Sequence, residues 1–285
     1  MTPNIAILTD SGTDVPPDFT AQHPIYTAPL HIHYDDGNSF ADRVDITPDQ
    51  VYESLEYTIP KTSTPTLLEV ERTLDRIIAD GYTHVIAVSI ASGLSGTFDA
   101  VRLAAEKKPE LTCAVVDSKN IGIGAGLIVM YAADLVAEGL PFATVVEKTE
   151  AIVPKTSVFF CVETLEYLFA GGRITKATYA LGSVLNLRPI ITCNTEGMYV
   201  PIAKARGRKK SLEKTVALAQ KALGDSKHYR VAVAHGKAAE EAAAIAADTP
   251  STFPLSQQLF EGQVTPSLVV HTGPGTIGIA VQRLD

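Results

Sequence analysis

Two stretches of this 285-residue chain are dense in small hydroxyl side chains, Lys61-Thr62-Ser63-Thr64-Pro65-Thr66 and Ser89-Ile90-Ala91-Ser92-Gly93-Leu94-Ser95-Gly96-Thr97. The first lies just before a helical pattern, and the second follows an apolar run and opens another helix. Such clusters suit three chemistries: a serine nucleophile on a sharp turn, a cradle for phosphate, or a cradle for some other anion. A helix N-terminus with free N–H groups favours either kind of anion.

Spacing separates the three. A nucleophile elbow requires G-x-S-x-G, whereas Gly93-Leu94-Ser95-Gly96-Thr97 places a glycine directly after the serine. His235 and His271 each close a strand-like run downstream, so a serine hydrolase (an esterase) using Ser95, one of these histidines and an acid such as Asp117 stays open. A phosphate loop requires G-x-x-x-x-G-K-[ST], which the chain lacks. Gly122-Ile123-Gly124-Ala125-Gly126 imitates a dinucleotide turn with the wrong spacing, which suits helix packing better. His31-Ile32-His33, followed by Asp35-Asp36, puts two imidazoles on one face of a strand. No further ligand stands at a fixed spacing, so no metal is assigned.

Two more polar clusters, Asp10-Ser11-Gly12-Thr13-Asp14 and Asp117-Ser118-Lys119-Asn120, fall at the ends of apolar runs. Ser, Thr and Asp ordinarily cap helices and satisfy their orphaned N–H groups, and Asp117-Ser118 is read that way. In a parallel sheet all four clusters converge on one edge. The runs at 5–10, 84–90 and 112–117 read as strands buried on both faces. Between them, Thr66 and Glu69 fit a capping box, and Leu67, Val70, Leu74, Ile77 and Ile78 make an apolar stripe to about Ala79. Further helices start near Gly96 and Gly124.

This alternation predicts an α/β fold: a mostly parallel N-terminal sheet with flanking helices, whose ligands bind beyond the strands' carboxyl ends. After Pro154-Lys155 the pattern changes. Residues 190–194 and 197–206 form an expected antiparallel hairpin through Thr195-Glu196-Gly197. The run at 229–236 precedes an alanine-rich helix, and a second strand-like pair, 267–273 and 275–281, meets at Gly273-Pro274-Gly275. The second half is therefore expected to be a mixed sheet with helices. Two α/β domains, 1–155 and 156–285, follow with the ligand between them, the boundary placed to within about ten residues.

A hydrophobic content of 46% supports a full core, and a net charge of −8 argues against nucleic acid as a partner. Met1-Thr2-Pro3-Asn4 lacks the basic and apolar regions of a signal peptide, so a cytoplasmic location is expected. The apolar run from Ile121 to Ala133 stops well short of the ~20 residues a spanning helix needs and reads as a buried helix. Cys113, Cys161 and Cys193 stand singly in apolar runs, as reduced thiols do.

Four segments together resemble the bacterial DegV family, which includes the fatty-acid-binding subunits of fatty acid kinase. Thr62-Ser63-Thr64-Pro65-Thr66 looks like that family's TSQPS, Ser92 to Thr97 matches SGLSGT, and Gly171-Gly172-Arg173-Ile174 matches GGRI. Val200 to Lys210 resembles its hairpin leading into a basic helix start, and Asp10-Ser11 and His271-Thr272-Gly273-Pro274-Gly275 fit as well. Thr64 stands where the family usually has Gln, and Arg43 where it commonly has Gly.

The resemblance implies a lipid-binding carrier, not itself an enzyme, that uses no cofactor and holds one long-chain, palmitate-like fatty acid. By the same implication Thr62, Ser95, Ser63 and His271 take the carboxylate, and Arg173 and Arg206 lie near the head group or face the kinase. A separate fatty acid kinase catalytic subunit is the implied partner, acting in lipid metabolism. The energetics fit: about 14 methylenes at roughly 0.8 kcal/mol each release on the order of 11 kcal/mol before ordering costs. Two or three charge-assisted hydrogen bonds then set which end sits where. The apolar helix near Gly124 and the segment Leu165 to Phe169 are candidate tail-lining elements, with ordinary core packing as the alternative. Arg206, Arg208, Lys209 and Lys210 make either a solvated helix start or a patch for transient contact with a membrane surface or the kinase.

Overall fold

A computed structural model describes residues 4–182 and 187–285; Met1 to Pro3, where the leader reading begins, lie outside the described residues. The chain opens with strand β1 (Ile5–Asp10), helix α1 (Pro17–Gln22) and strands β2 (Ile25–Ala28), β3 (His31–His33) and β4 (Ser39–Ala41). Helix α2 (Pro48–Ser54), strand β5 (Lys61–Ser63), helix α3 (Leu67–Ala79), strand β6 (His84–Ser89), helix α4 (Thr97–Ala105) and strand β7 (Thr112–Asp117) follow. Helices α5 (Gly122–Ala137) and α6 (Phe142–Ile152) lead to strand β8 (Thr156–Cys161), helices α7 (Glu166–Ala170) and α8 (Lys176–Gly182), and strands β9 (Leu187–Cys193) and β10 (Tyr199–Arg206). The last elements are helix α9 (Arg208–Leu223), strand β11 (Tyr229–Gly236), helix α10 (Ala239–Thr252), strand β12 (Ser256–Gln263), helix α11 (Pro266–Thr272) and strand β13 (Thr276–Arg283).

Every residue of β1 is buried, as a parallel strand covered on both faces requires. It sits inside a parallel sheet of order β2-β1-β6-β7. A small antiparallel sheet, β4-β3-β5, stands apart and sets Thr62 opposite Ile32. The second half builds a six-stranded mixed sheet, β10-β9-β8-β13-β11-β12, in which the β11–β12 pair is parallel and the others antiparallel. The α/β organisation expected from the pattern is the one adopted.

Local chemistry explains the elements that position the site. Thr66 accepts the Glu69 N–H while the Glu69 carboxylate takes the Thr66 N–H, the reciprocal cap that starts α3. Helix α5 is apolar on every side because it lies between the two sheets, in one core cluster with Ile7 and Ile86 of the first and Val158 and Ala280 of the second. Its small residues permit that closeness. A Cβ on Gly124 would stand 2.8 Å from the Val158 Cβ, and one on Gly126 would stand 2.4 Å from the Thr13 carbonyl oxygen. Among the described residues, no helix is long and apolar enough to cross a membrane.

One expected element is different. Residues 267–273 read as a strand, but α11 is a helix, buried at every position. An apolar run this short does not distinguish a buried strand from a buried helix by periodicity. Pro266 at the first helical position and Gly273 just past the last, at φ +65°, are the boundary signals that decide it.

Candidate functional site

The four polar clusters gather around the carboxyl ends of β1, β6 and β7 and the end of β5, but they do different work there. Asp10 is buried; its Oδ1 accepts the Gly12 N–H at 3.0 Å and its Oδ2 the Ile90 N–H at 2.9 Å, tying the loop after β1 to the loop after β6. The Thr13 hydroxyl donates to the Asp10 carbonyl, and Ser11 takes the Leu30 N–H and donates to Asp42 at 2.7 Å. Burial, aided by neighbouring Asp42 and Asp14, raises the Asp10 carboxyl to about 7 against the pull of its two N–H donors. The Asp117 cluster caps its own turn. Its Oδ1 accepts the Ser92 and Lys119 N–H groups, both at 3.1 Å, and its Oδ2 pairs with the Lys119 ammonium at 2.7 Å.

The other two clusters face a cavity of about 380 Å³. Thr62, Ser63 and Thr64 reach it from the end of β5, and Ser95 and Gly96 from the start of α4. Ser63 and Gly96 are exposed, so this end meets solvent. Arg173, just after α7, and His271, on α11, complete the polar wall with Tyr199 and Ser267. Ile90, Leu94, Ile121 and Leu268 supply apolar wall.

His271 is placed by two contacts. Its Nε2 lies 2.7 Å from the Thr62 hydroxyl, and its buried Nδ1 has no partner. A Cβ on Gly171 would fall 2.1 Å from that Nδ1, so the first glycine of Gly171-Gly172-Arg173 leaves room for the ring. Burial chiefly, with the Arg173 charge adding, holds the imidazole down to about 3, so it is neutral near pH 7. An orphaned lone pair costs less than an orphaned N–H donor, which puts the ring proton on Nε2. His271 then donates to Thr62, and the Thr62 hydroxyl keeps its own proton for the cavity. Ser95 is arranged similarly: its oxygen accepts the Thr97 N–H at 3.3 Å and shares a 2.9 Å hydrogen bond with the Thr97 hydroxyl. With Thr97 donating, Ser95 also faces the cavity as a donor.

Arg173 is half-buried and donates to the Gly171 carbonyl; burial lowers its pKa without neutralising it at ordinary pH. It is the one cationic side chain among the described residues that line this cavity. Two neutral hydroxyl donors beside a desolvated guanidinium make an anion cradle. Ser63 instead shares its hydroxyl with His33 Nε2 at 2.8 Å and donates to the Thr64 carbonyl. His31 on the same strand pairs with Glu69 at 2.9 Å, and among the described residues no group of side chains could hold a metal ion.

The hydrolase reading finds no relay here. The Ser95 hydroxyl engages Thr97, His271 engages Thr62, and Asp117 engages Lys119 and two N–H groups. His235 sits at the end of β11, outside the lining. Arg206 also lies outside it, exposed at the end of β10, an edge strand. The basic cluster splits: Lys209 and Lys210 are exposed, while Arg208 turns inward to the Glu241 carboxylate and the Gly275 carbonyl.

A second, smaller cavity of about 40 Å³ continues inward and shares Ile121, Tyr199 and Leu268 with the first. The expected tail-lining elements part company there. Ile123 at the start of α5 lines the second cavity, whereas Leu165 and Leu168 belong to a separate core cluster with Ile174. Tyr199 and Ser267 are not legible in the sequence as site residues. Tyr199 has no distinguishing signal, and Ser267 is hidden in a segment that reads as a strand.

Arg43 has its own explanation. It holds φ +62°, a conformation where glycine costs nothing. Its guanidinium instead contacts Asp14 at 3.5 Å and donates to the Val15 and Gln263 carbonyls, joining the two halves of the chain.

Comparison with known proteins finds matches of sequence and of fold along the chain. The sequence profile of the DegV family, described as uncharacterised, matches residues 4–284. A DegV domain-containing protein of Clostridium perfringens is 40% identical, with 98% of each chain covered. The structure of a fatty-acid-binding DegV family protein from Thermus thermophilus superposes with a TM-score of 0.91 at 29% identity, covering 99% of this chain and 100% of that one. A stearic-acid-binding protein from Eubacterium ventriosum superposes with a TM-score of 0.89 at 26% identity, with 98% of each chain covered. With the family's sequence profile matching residues 4–284 and a relative 40% identical over 98% of its length, the chain belongs to the DegV family.

Proposed function

We propose that this chain binds one long-chain fatty acid of palmitate-like length, its carboxylate on the Thr62 and Ser95 hydroxyls with Arg173 supplying positive charge. The observation that carries the reading is the change of character along the two adjoining cavities. The outer one sets hydroxyls, an imidazole and one guanidinium among its apolar residues, and the inner one is lined chiefly by apolar side chains. An amphiphile with a single anionic end matches that gradient, and burial of its tail supplies most of the affinity. The fatty acids named for the Thermus thermophilus and Eubacterium ventriosum proteins support the same class of ligand.

The exposed rim at Ser63 and Gly96 leaves the head group reachable. In this reading the protein presents the carboxylate to a separate kinase, which transfers the phosphoryl group and leaves an acyl phosphate in the cradle. Hydroxyl donors suit both head groups, since each tolerates an oxyanion without fixing its charge. The chain divides near residue 155, the N-terminal part carrying the hydroxyl-rich carboxylate-binding loops and the C-terminal part covering the tail.

Mass spectrometry of lipid released from the purified protein tests the binding. One long-chain acid per chain is expected, and an empty protein that also ignores added palmitate would sink the idea. Ser95→Ala and Thr62→Ala should each weaken palmitate binding about tenfold, the loss of one charge-assisted hydrogen bond. Acyl-phosphate formation from palmitate and ATP, by a fatty acid kinase catalytic subunit only when this chain is added, tests the presentation.

A further inference from the structure

The inner cavity contains one feature that a plain hydrocarbon tail does not satisfy. Asp14, only 4% exposed, lines it. Asp14 Oδ1 is occupied, accepting the Thr265 N–H at 2.9 Å and facing Arg43. Asp14 Oδ2 is buried with no hydrogen-bond partner. The cavity's two threonines do not serve it, because Thr272 donates to the Leu268 carbonyl and Thr276 to the Thr272 and Gly273 carbonyls. Gly122 keeps the space beside the oxygen open, since a Cβ there would stand 2.9 Å from Oδ2. Leaving a buried carboxyl oxygen unpaired is costly, and a native fold that keeps one calls for a reason.

We propose that the preferred ligand of this protein is a long-chain fatty acid bearing a hydroxyl partway along its chain, and that Asp14 Oδ2 receives that hydroxyl in the inner cavity. The inference rests on the acyl-chain reading above. A hydroxyl both donates and accepts, so it pairs with this oxygen whether the carboxyl is ionised or protonated. That property matters at a group which burial chiefly raises to about 7, with Arg43 and both the N–H and the hydroxyl of Thr265 opposing. Asp14 is on this account a specificity residue, separate from the carboxylate cradle at the other end of the ligand. No covalent step is involved.

Calorimetric titration of the full chain with octadecanoic acid and a positional series of monohydroxy-octadecanoic acids tests it. The expected result is one position, or two adjacent ones, binding about tenfold tighter than the rest of the series. In Asp14→Ala the positional preference should disappear, every hydroxy acid of the series then binding within about twofold of octadecanoic acid measured on the same variant. Asp14→Asn guards against loss of fold in the alanine variant. Asparagine tolerates the φ of +51° at this position and keeps an acceptor for Thr265. Its amide N–H in place of Oδ2 should shift preference toward a keto group at the same chain position. A flat series in the wild type, with octadecanoic acid bound, overturns this inference and leaves the acyl-chain reading intact. A positional preference that persists unchanged in Asp14→Ala, or an Asp14→Asn variant that gains nothing for the keto acid, also overturns it. Failure of octadecanoic acid and the whole series to bind removes the acyl-chain reading, and this inference with it.

Discussion

The loop after β1 and the loop after β6 carry similar residues, Asp10-Ser11-Gly12-Thr13-Asp14 in one and Ser92-Gly93-Leu94-Ser95-Gly96-Thr97 in the other. In the first, Asp10, Ser11 and Thr13 are buried and hydrogen-bonded within the protein. In the second, Ser92, Gly93 and Gly96 are exposed and Ser95 is half-buried, its hydroxyl bonded only to Thr97. The difference is one of depth. Packing around the first loop turns its polar groups into mortar between the two halves of the chain, with Asp14 and Asp42 receiving the N–H groups of Thr265 and Ser267 at the start of α11. The second loop stays at the cavity rim and keeps donors to spare. Polar strand ends that look equivalent thus hold a helix in one case and are free to hold a ligand in the other.

The contrast predicts that damage to the mortar shows in stability and damage at the rim shows in binding. Asp42→Ala should have the largest effect, because it removes the buried acceptor shared by the Ser11 and Ser267 hydroxyls and leaves the Ser267 N–H unpaired in the interior. A cost of about 3 kcal/mol in denaturant unfolding is expected, and a loss under about 1 kcal/mol would break the comparison. Gly171→Ala comes next. Its Cβ would overlap the His271 ring, costing about 1–3 kcal/mol and turning the imidazole away from Thr62. Palmitate affinity should fall about tenfold in the same variant, and unchanged affinity would separate His271 from the cradle.

A change of pH tests chiefly the mortar. Asp10 and Asp14 are raised to about 7 by burial, above their unfolded values of roughly 3.9. Groups raised on folding add stability that is fully present below the unfolded value and lost as pH rises through the folded value. His271, lowered to about 3, works the other way: its contribution is present above roughly 6.5 and lost as pH falls. Moving from about pH 8 to about pH 6.5 therefore protonates the carboxyls before the imidazole opposes them strongly. The folded chain should gain about 1 kcal/mol, seen as a rise in Tm of roughly 1–2 °C. A Tm that falls over this window would show that the carboxyls are not raised. The smallest effect belongs to Arg206→Ala. Exposed and outside the cavity lining, it should change palmitate affinity less than about twofold and stability by under about 0.5 kcal/mol. A tenfold loss would return Arg206 to the site.

Much of the frame is legible in the order of the residues. Ile5 to Asp10 and His84 to Ser89 are continuous apolar runs, and a buried parallel strand is what such runs become. Thr66 and Glu69 announce a helix start through a contact only three residues long. Within the site, Thr62, Ser95, Arg173 and His271 stand in recognisable motifs and do share one cavity, whereas Arg206, in a motif of its own, does not. Its motif marks a hairpin leading into a helix, and no local rule says which way an edge strand's last side chain faces.

The sequence by itself determined the α/β class, three strands of the parallel sheet and the helices beside them, the hydroxyl-rich loops and the family resemblance. All of these depend on periodicity, capping and motif spacing, which act over a few residues. Tertiary structure decided that α11 is a helix, that the loop after β1 is buried while the loop after β6 is not, and that Asp14 keeps an unpaired oxygen in the inner cavity. It also paired Thr62 with His271 across 209 positions of sequence. Those outcomes depend on which surfaces the two sheets bury against α5 and α11, and solvent exclusion of that kind leaves no local mark on the residues it acts upon.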